Sequence, residues 1–548
     1  LQRLLPFGGQ LTNNNSNMTS LDMQHKLVAS KTFNEIHRVN GMFGFEMRSS
    51  KTYGKGTNVW GYVPERGESL ISPSLPEDIV PIGGTQSIGW GALRGLFEGG
   101  WSSINNTSNY VSFFGTAAYS LKNRYVMNMN IRSDASNRFG QDKRKQFDPT
   151  YSFGFSWKIA EEKFIKDNVK WLDQLNLRAT YGIQGNVVNS ISPELIASYG
   201  GLLPGYNEYY TSIASLPNPY LKWERTKTWN LGLDMQIFRA VTMSLEYYGR
   251  RSNAIIEQDV PEEYGMGTLK LNGGIIVNHG LEWTMNITPI KTKDLVVSVG
   301  FNASKNWNKT ETDDRTARVD QLTHRDFVAG NSQRPLRKGY SLYSFWAYDF
   351  TGLDHETGLP TFRGTQVEEF ENPDKTIDPL SFLVYAGESE PFFTGGINPH
   401  VRWKDLQVSA SFALILGSKK RLPNPYSTFT YGKMPSPLSN LSKELLNRWK
   451  QPGDELHTNI PGLYTSVADI LNLYTPDGYF TNRYEMWANS TARLVSGSFF
   501  RCNQLSVSYY LPKKICQKIH ATSISLSGST NNLFAIASKK WNGFDPEL

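Results

Sequence analysis

Cysteine is nearly absent: Cys502 and Cys516 are the only two in 548 residues. That excludes a disulfide framework, and no CxxC metal pair exists. The eight histidines show neither HExxH nor HxH spacing. GxGxxG and P-loop motifs are also missing, so no nucleotide cradle is written into the chain. No run of about 18 apolar residues occurs, which excludes a transmembrane helix. It does not exclude a membrane, because a barrel strand needs only about 9–11 residues and alternates apolar with polar. The opening Leu1-Gln2-Arg3-Leu4, followed by Pro6, lacks the charged start, apolar core and cleavage site of a signal peptide. The net charge is +7. Its cations are scattered one or two at a time, often beside turns, which is not the clustered footprint of a nucleic-acid binder.

Aromatics, by contrast, are abundant: 14 Trp, 27 Tyr and 29 Phe. The dominant pattern is period-two alternation in short segments. Tyr125, Met127, Met129 and Ile131 alternate with Val126, Asn128, Asn130 and Arg132. Val111, Phe113, Ala117, Tyr119 and Leu121 alternate with Ser112, Thr116 and Ser120, and Lys122-Asn123 reads as the tight hairpin between the two runs. Similar runs cover 228–237, 241–248, 281–287 and 405–416. This predicts an all-β chain.

A soluble sandwich and an outer-membrane barrel both alternate, because each has one polar and one apolar face. Three features favour a large antiparallel transmembrane barrel. The strands are long, around ten residues. Aromatics such as Tyr119, Tyr125, Trp157, Trp229 and Tyr247 are placed near strand ends, as in interfacial girdles. Short connections (Phe238-Arg239-Ala240, and Ile290 to Asp294) alternate with long ones at 185–222, 250–278, 304–343 and 417–490. Short periplasmic turns and long extracellular loops give that asymmetry. A helix is expected near 439–449, capped by Ser439 or Asn440, with Leu441, Leu445, Leu446 and Trp449 as its apolar stripe. No fixed-period repeat appears, which argues against propellers and solenoids.

Few residues invite a chemical role. Asp354-His355-Glu356-Thr357-Gly358 lacks the EF-hand spacing and reads as a polar hairpin turn with Gly358 at positive φ. The run Asp313-Asp314-Arg315 with Arg318 and Asp320 reads as a solvated loop. No catalytic or metal constellation is found, and the chain is not read as an enzyme. The loop aromatics are the candidate substrate-binding residues: Trp60 and Tyr62, Trp90 and Trp101, and Tyr206, Tyr209 and Tyr210. Flat rings suit stacking on sugars or covering a peptide backbone, and equally suit loop packing or girdle anchoring.

Seven segments, in order, resemble the SusC/RagA family of TonB-dependent outer-membrane transporters. They are Leu5-Pro6-Phe7-Gly8-Gly9; Asn123-Arg124-Tyr125 leading to Arg132-Ser133-Asp134 and Arg138-Phe139-Gly140; Phe153 to Trp157; Leu177 to Asn186; Asn218 to Glu224; Asn447-Arg448-Trp449 with Pro452-Gly453-Asp454; and Asn531 to Phe534 with Gly543 to Glu547. The resemblance implies a multi-pass bacterial outer-membrane barrel without a cofactor. It implies uptake of a bulky hydrophilic nutrient, an oligosaccharide or oligopeptide, surrounded by outer-membrane lipid. The implied partners are a SusD-like surface lipoprotein and TonB, the latter acting through a plug. The plug, the earliest strands and the final strand of the family are not matched. Residues 1–548 are therefore expected to be one barrel domain incomplete at both ends, unable to insert alone as a closed, protease-resistant barrel. Two rival readings stay open: a passive porin-like or structural barrel, and a soluble extracellular carbohydrate-binding or hydrolytic β-protein. The strand from Cys502 to Leu511 should span roughly 30 Å at about 3.3 Å per residue. Cys502 and Cys516 should therefore stay unpaired, since a disulfide needs Cα atoms within about 7 Å.

Overall fold

The computed structural model describes residues 9–70, 100–137, 147–186, 188, 191, 194–202, 208–259, 263, 268–312, 324–328, 337–365, 377–426, 442–463, 472–476 and 478–547. Long strands dominate them: β1 (Gly9–Phe33), β2 (His37–Val63), β3 (Gly100–Leu121), β4 (Tyr125–Ser136), β5 (Asp148–Lys158), β6 (Leu172–Asn186) and β7 (Glu224–Ile237). They continue with β8 (Val241–Asp259), β9 (Thr268–Lys291), β10 (Leu295–Thr310), β11 (Phe393–Trp403), β12 (Leu406–Leu416), β13 (Phe499–Tyr510) and β14 (Ser525–Ala537). The chain falls into two compact units, Leu1–Ala29 with Gly41–Thr116 and Ile131–Pro149, and Ser30–Asn40 with Ala117–Asn130 and Thr150–Leu548.

In the first unit the end of β2 pairs antiparallel with a short strand, Tyr62 opposite Leu70 and Val63 opposite Ser69. Arg132 organises the polar side there. It donates from Nε to Asp134 at 2.7 Å and from Nη2 to Ser112 at 2.9 Å and Glu46 at 3.3 Å. The Arg-Ser-Asp of the hairpin segment is thus a local ion pair that also reaches two other strands.

In the second unit β5 to β14 follow chain order, each antiparallel to the next. Pairing in register keeps the two faces separate, because side chains alternate with period two. Leu233 lies opposite Leu177 and Leu245, and Leu245 lies opposite Trp283. One residue along, Asp234 lies opposite Asn176 and Ser244, and Ser244 opposite Thr284. One face is therefore apolar and the other polar across successive strands.

The tight turns confirm the hairpin readings. Lys122 and Asn123, like Phe238 and Arg239, have φ between 47° and 55°. Two adjacent left-handed residues give the twist that matches paired strands. Phenylalanine rarely adopts that conformation, so the short connection at 238–240 is legible from the alternating runs on either side and not from its own turn chemistry. Strand lengths differ from the expectation. Residues 250–259 and 268–278, expected within a loop, continue β8 and β9 past a bulge at Ala254/Ile255. Trp229 and Tyr247 therefore lie mid-strand and not near strand ends. From Ile237 to Trp229 the chain rises about 26 Å at 3.3 Å per residue, the height of an apolar band of about 25 Å. The strands run on beyond Trp229.

The most tightly buried apolar core among the described residues belongs to the long connections β10–β11 and β12–β13, and not to the sheet. There the hairpins Ser344–Tyr348 with Leu383–Glu388, and Phe350–Leu353 with Pro360–Phe362, join a helix, α1 (Arg483–Ala488). Phe327, Trp346, Leu359, Leu445, Tyr484, Met486 and Trp487 pack into one buried cluster. Burying each large side chain stabilises this cap by about 1.5–3 kcal/mol. The helix expected near 439–449 is shorter and different in kind. Lys443–Asn447 is a 3-10 turn whose Ser442 hydroxyl accepts from the Glu444 amide. Leu445 is buried while Leu446 is exposed, because i and i+1 point apart on so short a turn. Ser439, Asn440 and Leu441 lie outside the described residues.

Candidate functional site

The polar face of β6, β7 and β8 carries a continuous ion-paired network. Arg178 donates to Asp234 and to Glu246, its second carboxylate, at 2.7 Å. Asn230 donates to Glu246 at 3.0 Å, and the Ser244 hydroxyl donates to Asp234 at 2.8 Å. Gly232 makes room for the guanidinium, since a Cβ there would stand 3.1 Å from Arg178 Nη2. The sequence reading missed this cluster. The available signal was charge at polar-face positions of successive runs, and it becomes a site only once register aligns 178, 234 and 246.

Where β10 and β11 meet the cap, a polar cavity of about 220 Å³ is lined by Ser304, Asn306, Asn308, Tyr343, Glu388 and Thr394, among others. The cap is tied down here by side chains. Asn308 Oδ1 accepts from the Leu342 amide at 2.7 Å and the Ser341 hydroxyl at 3.2 Å. Asn306 N donates to Phe392 O at 3.1 Å. Burial raises the carboxyl pKa of Glu388, opposed by a hydrogen bond from Ser341. The cavity offers carboxylate, amide and hydroxyl groups, which suits hydrogen bonding to a hydrophilic molecule and supplies no nucleophile–base pair.

Two further groups hold the cap. Arg493, 2% exposed, pairs with Glu444, stacks over Trp487 at 4.7 Å and donates to Pro423 O. Arg421 donates to Trp346 O at 2.7 Å, and burial lowers its pKa to about 10. The turn at Asp354 forms as expected: its Oδ1 accepts from the Glu356 amide, the Thr357 amide and the Thr357 hydroxyl, and Gly358 has φ +64°. The neighbouring His355 reaches across to Glu455, Nδ1 to Oε1 at 2.7 Å. A hydrogen bond and charge from Glu455 raise the His355 pKa, and the Glu455 carboxyl is pulled down to about 2, first by His355.

The aromatic candidates scatter. Trp60 and Tyr62 lie on β2, half-buried, and Trp101 lies at the start of β3, 65% exposed. These three are strand residues and not loop residues, because β2 and β3 extend further than their turn-like Gly, Ser and Asn content indicates. Tyr209 and Tyr210 begin a short strand, Tyr209–Ser215, paired with Ile196–Leu202, and Tyr210 is exposed. Trp90 and Tyr206 lie outside the described residues, as do Asp313, Asp314, Arg315, Arg318 and Asp320. Cys502 and Cys516 are both buried and free. Cys502 sits inside β13, and Cys516 on a short helix, Lys513–Lys518.

Comparison with known proteins places this geometry. The family model described as TonB dependent receptor-like, beta-barrel matches residues 5–408. TonB-dependent receptor P3 of Formosa agariphila is 25% identical over 461 residues, covering 81% of this chain and 43% of the relative. TonB-dependent receptor SusC of Bacteroides thetaiotaomicron is 27% identical, covering 80% of this chain and 41% of the relative. The chain thus spans under half the length of the curated relatives it matches. The solved structure of the RagAB peptide transporter aligns with 98% of this chain and 54% of its own, with TM-score 0.68 at 21% identity, a likeness of fold. The in-register polar and apolar faces, the turns and the family match agree: this chain belongs to the TonB-dependent receptor β-barrel family of the bacterial outer membrane.

Proposed function

We propose that the protein containing this chain actively imports a bulky hydrophilic nutrient, an oligosaccharide or oligopeptide, across the outer membrane. The observation that carries this reading is the family match over 5–408, on a sheet whose polar face is unbroken from β6 to β10. In a barrel that face lines the lumen, and the apolar face meets lipid. Wide polar walls suit a large hydrated cargo. The fold likeness to the RagAB peptide transporter makes peptide one cargo class to test, and a polar lining admits a saccharide equally. In this proposal a SusD-like lipoprotein covers the loop side, and TonB drives transport through a plug outside these residues. The 548 residues would supply wall, lining and cap as barrel-domain sequence. The reading is one of transport and assigns no catalytic role to the polar cavity or the wall. Trp60, Tyr62, Trp90, Trp101, Tyr206, Tyr209 and Tyr210 are proposed cargo-stacking residues.

The test is uptake by cells carrying or lacking the full-length gene, each with and without TonB. Supplied with labelled oligosaccharide or oligopeptide, only cells with both should accumulate one of them. Uptake that persists without TonB would replace this reading with a passive porin. Purification without detergent would point to a soluble β-protein.

A further inference from the structure

The apolar face is not uniformly filled. Along β6, β7 and β8 it carries large side chains: Leu177, Leu233 and Leu245, with Leu231 and Tyr247 in the next apolar row. On β3 and β6, however, two alanines interrupt it. Ala117 and Ala179 line a groove of about 530 Å³ together with Tyr119, Met127, Phe155 and Tyr181. Ala179 lies opposite Phe155, and Tyr181 opposite Phe153. Met127 and Phe153 are 56% and 47% exposed, so the opening is uncovered among the described residues.

One end of the groove leads to a basic rim. Tyr119 precedes the turn at Lys122, and Phe155 precedes Lys158, so the rim lies three residues beyond the groove walls. At about 3.3 Å per residue that is roughly 10 Å. The turns there, 34–38, 122–124 and 158–170, hold seven cations (Arg38, Lys122, Arg124, Lys158, Lys163, Lys166 and Lys170) against four carboxylates. The carboxylates are partly consumed. Glu162 accepts from Arg124, Tyr125 and Trp157, and Glu161 accepts from Lys166. Each ion pair uses one cation and one carboxylate, so seven against four leaves a net surplus of three positive charges, beside stacked Tyr125 and Trp157 rings 6.2 Å apart. Aromatic rings with polar edges mark the headgroup level.

From this we infer that the groove is a specific site for an anionic glycerophospholipid, one acyl chain lying over Ala117 and Ala179 and the phosphate at the Lys122 and Lys158 rim. Charge complementarity commits the site to a headgroup of net negative charge, since a zwitterionic one cancels its own phosphate. The two alanines distinguish a fitted groove from the generic lipid-facing surface, because a void in apolar surroundings forfeits contacts that a seated chain restores.

Full-length protein extracted in mild detergent, titrated with phosphatidylglycerol or phosphatidylcholine and read by native mass spectrometry, tests this. Phosphatidylglycerol should be retained at least five-fold better. Ala179→Phe should abolish the retained molecule, and Lys122→Glu should erase the preference between the two lipids. A phosphatidylglycerol with a photoreactive acyl chain should crosslink wild-type protein mainly within 117–129 and 153–181, which keeps the test valid if a variant folds poorly. Equal retention of both lipids, or crosslinks spread evenly over every strand, overturns the inference. So does a dimer that Ala179→Phe dissolves while lipid retention stays unchanged, which would give the groove to a second copy.

Discussion

Arg178 grips Asp234 with two parallel hydrogen bonds, Nε to Oδ2 at 2.8 Å and Nη2 to Oδ1 at 3.0 Å. Both side chains face the polar side and stay partly open, 37% and 27% exposed. Solvent screening keeps such a pair weak, about 1 kcal/mol or less despite the bidentate geometry. A double-mutant cycle with Arg178→Ala and Asp234→Ala, measured by urea unfolding of the full-length protein in lipid vesicles, should give coupling near that size. Coupling above about 3 kcal/mol would mean a dry lumen at this level and contradict a hydrated passage.

Faces should differ in cost though not in exposure. Met127 and Asn128 are both exposed on β4. Met127→Arg should destabilise by about 2–4 kcal/mol if it lies near the midplane, while Asn128→Arg should cost far less. Only the medium on each side differs. Equal penalties would sink the lipid and lumen assignment.

The cap should depend on one buried cation. Arg493 is almost fully buried and Glu444 is its carboxylate partner. Glu444→Ala strands that charge, at a cost of about 3–5 kcal/mol. Hydrogen exchange should rise at 344–348 and 483–488 while β7 to β9 stay protected. Faster exchange in the sheet as well would show that cap and wall unfold as one.

A proton should loosen the cap from either side of a window. His355 gains from Glu455, so its contribution is full below its unfolded pKa near 6.5 and fades as pH rises through the elevated folded value. Glu455 gains from His355, so its contribution is full above its ordinary range near 4.5 and fades as pH falls toward about 2. The contact should be tightest between about pH 4.5 and 6.5. Amide exchange of 354–358 and 453–457 should be slowest there, and His355→Ala should flatten the alkaline side. An unchanged alkaline limb in that variant would assign the effect to another group.

The cysteines should behave as inert buried thiols. Both should resist labelling in the native protein and both should label after denaturation without reductant. A mapped Cys502–Cys516 crosslink would overturn β13 as one extended strand.

Much of the wall was legible because alternation is local. Met127 with Asn128 and Leu233 with Asp234 declare two faces without any partner strand. What stayed hidden depends on neighbours distant in sequence. Residues 250–259 look like a loop, with Arg, Ser and Asn, until β9 supplies their hydrogen bonds. Arg178, Asp234 and Glu246 are unremarkable separately, and only register unites them. Trp60, Tyr62 and Trp101 were read as loop rings because polar Gly, Ser and Asn neighbours resemble turns, yet strands rising out of lipid need no apolar face. The cap at Ser442 was not singled out because several polar residues in one loop can serve, and packing of Leu445 favours the turn that Ser442 opens.

The cap depends on the wall through its topology. Phe327 and Trp346 come from the connection before β11, whereas Leu445, Tyr484 and Trp487 come from the one after β12. Pairing of β11 with β12 sets Phe393 opposite Leu416, so the two connections start side by side. The hairpin takes about a quarter of the intervening length out of the flexible loop, a modest entropic gain. A chain in which those two strands stay apart leaves a set of aromatic rings without the partners that bury them.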